Sequence, residues 1–145
     1  MHFSHHPSCV GGVAALCIAA LCILPACGAD GRFVMIGTAR APSTSGIVEV
    51  DDIDGGSTLV NVHLEYLHPP TRLDQGYTTY VVWFEGNGQA PILAGTLAYD
   101  MHARTGDFSG TSPMQKFVVR ITAEREATPS RPSEYVIATQ TVAVD

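Results

Sequence analysis

The sequence predicts an all-β domain, an antiparallel β-sandwich of about seven or eight strands behind a cleaved N-terminal signal helix. Three observations carry that expectation. Residues 57–67 alternate cleanly, with Val60, Val62, Leu64 and Tyr66 on one side and Asn61, His63 and Glu65 on the other. Residues 117–124 repeat the pattern, with Phe117, Val119, Ile121 and Ala123 opposed to Val118, Arg120, Thr122 and Glu124. Alternation of this kind marks a strand with one face buried. Clusters of Gly, Pro, Asn, Asp and Ser recur roughly every ten residues beyond Asp30, and no segment there holds a helical period.

Taken in order, residues 33–39 alternate loosely and read as a first strand, followed by the loop Ala41-Pro42-Ser43-Thr44-Ser45-Gly46. Residues 47–50 form a second strand, which Asp51-Asp52-Ile53-Asp54-Gly55-Gly56 turns back into residues 57–67. His68-Pro69-Pro70 stops that strand, because proline has no N–H for a ladder. Residues 71–76 form a polar loop. Residues 78–84 are β-branched and aromatic on both sides, which suits a central strand covered on both faces. Gly86-Asn87-Gly88 is a turn, 92–99 a further strand, and 107–109 a short edge. After the strand at 117–124, the loop Ala127-Thr128-Pro129-Ser130-Arg131-Pro132-Ser133 leads to a closing strand at 135–144. The expected core is Val60, Val62, Leu64, Trp83, Leu97, Phe117, Val119 and Ile121.

The amino-terminal region follows a different logic. Residues 10–24 contain only Val, Gly, Ala, Leu, Cys and Ile. That run suits the apolar region of a secretory signal and falls short of a spanning helix of roughly 20 residues. Leu24-Pro25-Ala26-Cys27 closes it and resembles the lipobox of bacterial lipoproteins. The resemblance implies cleavage before Cys27, a lipidated thiol and an acylated amino terminus. The expected organisation is a signal peptide at 1–26, an anchor and linker at 27–32, and the sandwich at 33–145. Gly28 stands where the family's sorting rule puts aspartate for inner-membrane retention, which leans towards the outer membrane in a cell that has one. The leader is atypical in lacking Lys and Arg before the run, carrying His2, His5 and His6 instead. An uncleaved signal anchor is the competing reading, and the short run without flanking basic residues weighs against it.

Every Lys, Arg, Asp and Glu lies beyond residue 29, so the mature part carries the whole formal charge of −6. An acidic surface argues against nucleic acid as a partner and gives no attraction to anionic lipid. Acyl chains on Cys27 would do the anchoring. Cys9, Cys17 and Cys22 leave with the leader, so no disulfide is expected and packing alone holds the fold.

Tyr80-Val81-Val82-Trp83, Gly95-Thr96-Leu97, the run from Phe117 to Glu124, and Pro132-Ser133 look similar to a loose group of immunoglobulin-like extracytoplasmic sandwiches. These occur in bacterial lipoproteins and on the outer side of some membrane-bound anti-sigma factors. The resemblance spans roughly residues 59–142, implies the fold, and brings no catalytic residues. With no cytoplasmic domain or spanning helix ahead of the sandwich, regulation of the anti-sigma kind is not implied.

Candidate chemistry is thin. His63, His68, Met101 and His102 are suitable copper ligands by type, but a blue-copper site also wants a thiolate, and surface histidines explain them better. Asp51, Asp52 and Asp54 before Gly55-Gly56 fail the EF-hand spacing and read as a solvated hairpin tip. Glu124 and Glu126 have the residue types of a glycosidase pair and read as a solvated strand edge. Trp83 reads as a core residue between the sheets, with an exposed ligand platform as the alternative. No metal, cofactor or catalytic residue is expected. The expected function is a lipid-anchored cell-envelope protein with a non-catalytic binding or structural sandwich that contacts another envelope protein or the wall. The alternative is a metal-binding or enzymatic lipoprotein with a site built from dispersed loop residues.

Overall fold

A computed structural model describes residues 31–74 and 76–144. The leader, the Leu24–Cys27 motif and the cleavage and lipidation site at Cys27 lie outside the described residues. The strands are β1 (Gly31–Ile36), β2 (Ser45–Ile53), β3 (Ser57–Glu65), β4 (Thr79–Glu85), β5 (Ile92–Thr96), β6 (Ala98–Asp100), β7 (Thr105–Ser112), β8 (Lys116–Glu124) and β9 (Val136–Ala143). A single helical turn, α1 (Pro70–Leu73), lies between β3 and β4. The strands form two antiparallel sheets, one in the order β1-β2-β3-β7-β6 and the other β5-β4-β8-β9. From β2 onward this is the immunoglobulin strand order, with β1 added at one edge.

The alternating strands behave as their pattern requires. Val60, Val62 and Leu64 of β3 and Phe117, Val119 and Ile121 of β8 are buried and face one another across the sandwich. Val48 and Val50 join from β2, and Tyr80, Val82 and Phe84 from β4. Phe84 packs edge-on against Phe117, with ring centroids 5.1 Å apart.

Several boundaries differ from the sequence reading, each for a visible reason. β1 starts at Gly31, inside the span read as linker, because Gly31 already pairs with Val50. β1 ends at Ile36 because Gly37 crosses to the other sheet, bridging to Ala138, while the Thr38 N–H donates to Ile137 O at 2.8 Å. A side chain at Gly37 would place Cβ 2.0 Å from Ala41 O, so only glycine makes this crossing. β2 continues through Asp51, Asp52 and Ile53, which pair with Leu59, Thr58 and Ser57. The acidic turn therefore shrinks to Asp54-Gly55-Gly56, with both glycines at positive φ. Tyr66 does not continue the β3 alternation. It sits at φ 58° beyond the strand end and is exposed.

The segment 92–99, read as one strand, splits between sheets. β5 pairs with β4, the chain crosses at buried Leu97, and β6 pairs with β7. Alternation survives such a crossing, so periodicity alone cannot reveal it. The edge expected at 107–109 is the middle of β7, an eight-residue strand held between β3 and β6. Its Gly, Asp and Ser residues have low strand propensity, and cross-strand pairing overrides it. Gly106 faces inward, where a Cβ would come within 2.8 Å of Leu67 Cδ1.

Trp83 is buried at 1 % exposure, yet it is not between the sheets. Its neighbours Tyr80, Val82 and Phe84 fill the intersheet core, so alternation turns Trp83 and Val81 to the outer face of the four-stranded sheet. The register sorts the loops by end. The chain enters at Gly31 beside the β2–β3 and β7–β8 turns. The β1–β2, β3–β4, β6–β7 and β8–β9 connections lie at the opposite end. Among the described residues no helix is long and apolar enough to cross a membrane.

Candidate functional site

The outer face of the five-stranded sheet is built by β1, β2, β3, β7 and β6. Outward positions alternate with core positions along each strand, giving rows that run across the sheet. One row is Val34, Ile47, His63 and Asp107, and the next is Arg32, Glu49, Asn61 and Ser109. Val34 and Ile36 on β1 are 66 % and 68 % exposed, the two most exposed large aliphatic side chains of the described residues. Two shallow depressions of about 340 and 350 Å³ lie on either side of Ile47 and His63. Acidic groups surround the apolar positions: Glu49, Asp51, Glu65 and Asp107. Arg32 Nη1 answers Glu49 Oε1 at 2.8 Å.

His63 is the centre of this face. Its Nδ1 lies 2.6 Å from Asp107 Oδ1, and Nε2 lies 3.9 Å from Glu65 Oε1. The hydrogen bond to Asp107, aided by both carboxylate charges and opposed by slight desolvation, raises the imidazole pKa above its ordinary value near 6.5. A group whose folded pKa is raised adds stability that is complete below about pH 6.5 and disappears as pH rises through the folded value. Solvent screening holds that contribution to about 0.2–1 kcal/mol. In an NMR titration of the His63 ring, Asp107→Asn should move the midpoint down. An unmoved midpoint would show that the pair does not perturb the ring.

The four residues weighed as copper ligands do not converge. The two ring nitrogens of His63 point at different carboxylates. His68 lies at the loop end, where Nδ1 is 3.4 Å from Arg104 Nη2 and the His68 carbonyl accepts the Tyr80 hydroxyl. Met101 and His102 occupy the tight β6–β7 turn, in which Asp100 Oδ1 accepts the N–H groups of His102 and Ala103 at 2.8 and 2.9 Å. Those two bonds hold the Asp100 carboxyl below the usual range. Among the described residues no group of three or more His, Cys, Asp or Glu side chains is placed to hold a metal ion.

Glu124 and Glu126 separate sharply. Glu126 is exposed, whereas Glu124 is 5 % exposed, so the solvated edge expected there is corrected for Glu124. Trp83 Nε1–H donates to Thr122 Oγ1 at 2.9 Å, and the Thr122 hydroxyl donates to Glu124 Oε1 at 2.6 Å. The Ser133 N–H reaches the same Glu124 oxygen at 2.7 Å. The β8–β9 loop is thereby pinned onto the outer face of the four-stranded sheet. On that sheet a depression of about 530 Å³ opens beside the β4–β5 turn near Asn87, Lys116 and Arg120. Arg120 Nη2 there pairs with Glu85 Oε2 at 2.6 Å.

Sequence reasoning did not find the His63–Asp107 pair or the Trp83–Thr122–Glu124–Ser133 chain. The alternation of β3 and β8 placed each side chain on a face, but the partners lie on strands and loops whose register only the fold sets. The outward direction of Val34 and Ile36 was not legible either, because Phe33, Val34, Met35 and Ile36 form a continuous apolar run with no wet side.

No protein-family model, curated protein or solved structure matches this chain.

Proposed function

We propose that this chain is a lipid-anchored cell-envelope protein whose sandwich is a non-catalytic binding module working through the outer face of its five-stranded sheet. The observation that carries the reading is the exposure of Val34 and Ile36 beside Ile47 on that flat face. Side-by-side exposed aliphatic residues rimmed by charge are the surface chemistry of protein contact, not of a pocket that encloses a small molecule. The anchor reading adds an orientation. β1 begins four residues after Cys27, and an extended chain spans at most about 3.6 Å per residue. A lipid on Cys27 would hold the chain-entry end within about 15 Å of the bilayer. The opposite loops would then face away from the membrane.

Two measurements test this reading. Cys27→Ser should abolish labelling by a clickable fatty acid, and unchanged labelling would refute the anchor. Affinity capture of the membrane-attached protein, identified by mass spectrometry, should return an envelope protein that a Val34→Glu, Ile36→Glu double variant fails to retain. A partner retained equally by that variant would remove the sheet face from the proposal. Stoichiometric copper, zinc or calcium in the purified protein would favour the metal-site alternative.

A further inference from the structure

The loop end opposite the chain's entry carries a constellation that the sheet-face reading does not use. Arg40 belongs to the β1–β2 loop, Tyr77 lies two residues before β4, and Arg125 and Tyr135 stand at the two ends of the β8–β9 connection. The Arg40 guanidinium lies 4.7 Å from the centroid of the Tyr135 ring. Tyr135 meets Tyr77 edge to face at 5.2 Å, and the Arg125 guanidinium lies 5.6 Å from the Tyr77 centroid. The order Arg40–Tyr135–Tyr77–Arg125 is a ladder assembled from three separate connections. It is fixed in place: the Tyr135 hydroxyl donates to Leu73 O at 3.3 Å, and Thr78 Oγ1 donates to Arg125 O at 3.0 Å. Gly76, at φ 97°, leaves room for the guanidinium, since a Cβ there would lie 2.6 Å from Arg125 Nη1.

The connections at this end carry Arg40, Arg72, Arg104, Arg125 and Arg131 against Asp74, Glu126 and Glu134, a local excess of positive charge in a chain of formal charge −6. Arg32 and Arg120 pair with Glu49 and Glu85, both on sheet faces. Arg40 and Arg125 meet aromatic rings instead, and both are exposed. A guanidinium stacked on a ring keeps its N–H edge open, the geometry that takes a carboxylate with two parallel hydrogen bonds. Two such edges held apart by two rings fit a ligand that repeats its carboxylates at intervals. Tyr66 adds an aromatic surface at the same end. It is 57 % exposed, and its carbonyl is joined to the β1–β2 loop by Ser43 Oγ at 3.4 Å. Sugar rings, with apolar C–H faces and polar rims, pack on such an uncovered ring.

We propose that this end of the sandwich is a docking site for a carboxylated polysaccharide. Arg40 and Arg125 take successive uronate-type carboxylates, and Tyr66 takes a sugar face. The proposal rests on the envelope reading only for orientation, since anchoring near Gly31 turns this end outward to a polymer layer.

The test uses the full chain reconstituted in phosphatidylcholine vesicles, recovered by flotation and mixed at low salt with fluorescent polygalacturonate. Vesicles carrying the protein should retain the polymer, and retention should fall as salt screens the arginines. An Arg40→Gln, Arg125→Gln variant should lose about tenfold in affinity. It should float as before and still unfold cooperatively within about 10 °C of the wild-type melting temperature, because only two exposed cation–ring contacts are lost. Tyr66→Ala should weaken retention without a change in flotation. Three results would overturn the site: no retention by vesicles that do carry the protein, unchanged retention by the double variant, or equal retention of polyglutamate, which would assign this end to an acidic protein. Failure of the wild-type chain to float would count against the anchor alone, and polygalacturonate binding in detergent solution then decides the site separately.

Discussion

Replacing Trp83 with alanine is expected to destabilise the protein by about 3–5 kcal/mol, the range for deleting a large buried aromatic side chain. The side chain is 1 % exposed, although it lies on the outer face of its sheet and not in the intersheet core. The loss therefore has two parts. The indole's buried apolar area returns to water around a cavity, and Thr122 Oγ1 loses the 2.9 Å hydrogen bond from Nε1. Trp83→Phe separates them by keeping most of the apolar area and removing the donor, so it should cost only about 0.5–1.5 kcal/mol from the hydrogen bond, plus the smaller ring's lost packing. Denaturant unfolding followed by circular dichroism measures both variants on one scale. Trp83 is the only tryptophan, so the emission of the wild-type protein reports this site directly: it should be blue-shifted when folded and move to the red on unfolding. A loss below about 1 kcal/mol for Trp83→Ala would mean that the outer face of this sheet closes over the gap at little cost.

Trp83 also shows where a sequence reading stops. Its burial follows from hydrophobicity and from its place in a central strand, and both were legible. The side of the sheet it faces was not, because residues 80–84 are apolar at every position and carry no alternation to orient them. β3 and β8 were legible for the opposite reason: each has one wet face, so a period of two appears in the residues themselves. β7 was nearly invisible, since Gly106, Asp107, Ser109 and Gly110 favour turns, and only pairing with β3 along its length and with β6 at Thr105–Asp107 makes them a strand. The crossing at Leu97 hid for a related reason, because β5 and β6 continue one another's pattern while exchanging sheets. Candidate sites fared worse than strands. His63 was legible as an outward side chain, but its partner Asp107 lies 44 residues away on a strand that was not fully read. The Arg40–Tyr135–Tyr77–Arg125 ladder is split over three loops, and loops have no period to decode.

Glu124 gives the second large effect, since it is a buried carboxylate holding two donors from different parts of the chain. Thr122 belongs to the same strand, while Ser133 belongs to the β8–β9 loop. Removing the acceptor leaves the Ser133 N–H and the Thr122 hydroxyl to find other partners in a space that admits little water. Leaving buried polar groups unpaired costs about 1–3 kcal/mol, which is the loss expected for Glu124→Ala. Glu124→Gln keeps an oxygen at the same reach and exchanges a charged acceptor for a neutral one, so it should lose less. The loop should loosen more than the sheet. Ser133 Oγ still donates to Ala123 O at 2.7 Å, which keeps one tether in Glu124→Ala, and only the backbone amide of Ser133 is released. Amide hydrogen exchange should accordingly speed up at Ser133 while the interior amides of β8 keep their protection until global unfolding. The alanine and glutamine variants differ in this respect only if the oxygen itself is the anchor. Equal stability and equal Ser133 exchange in all three proteins would show that the loop is held by Ser133 Oγ and the packing of Tyr135 without help from the carboxylate.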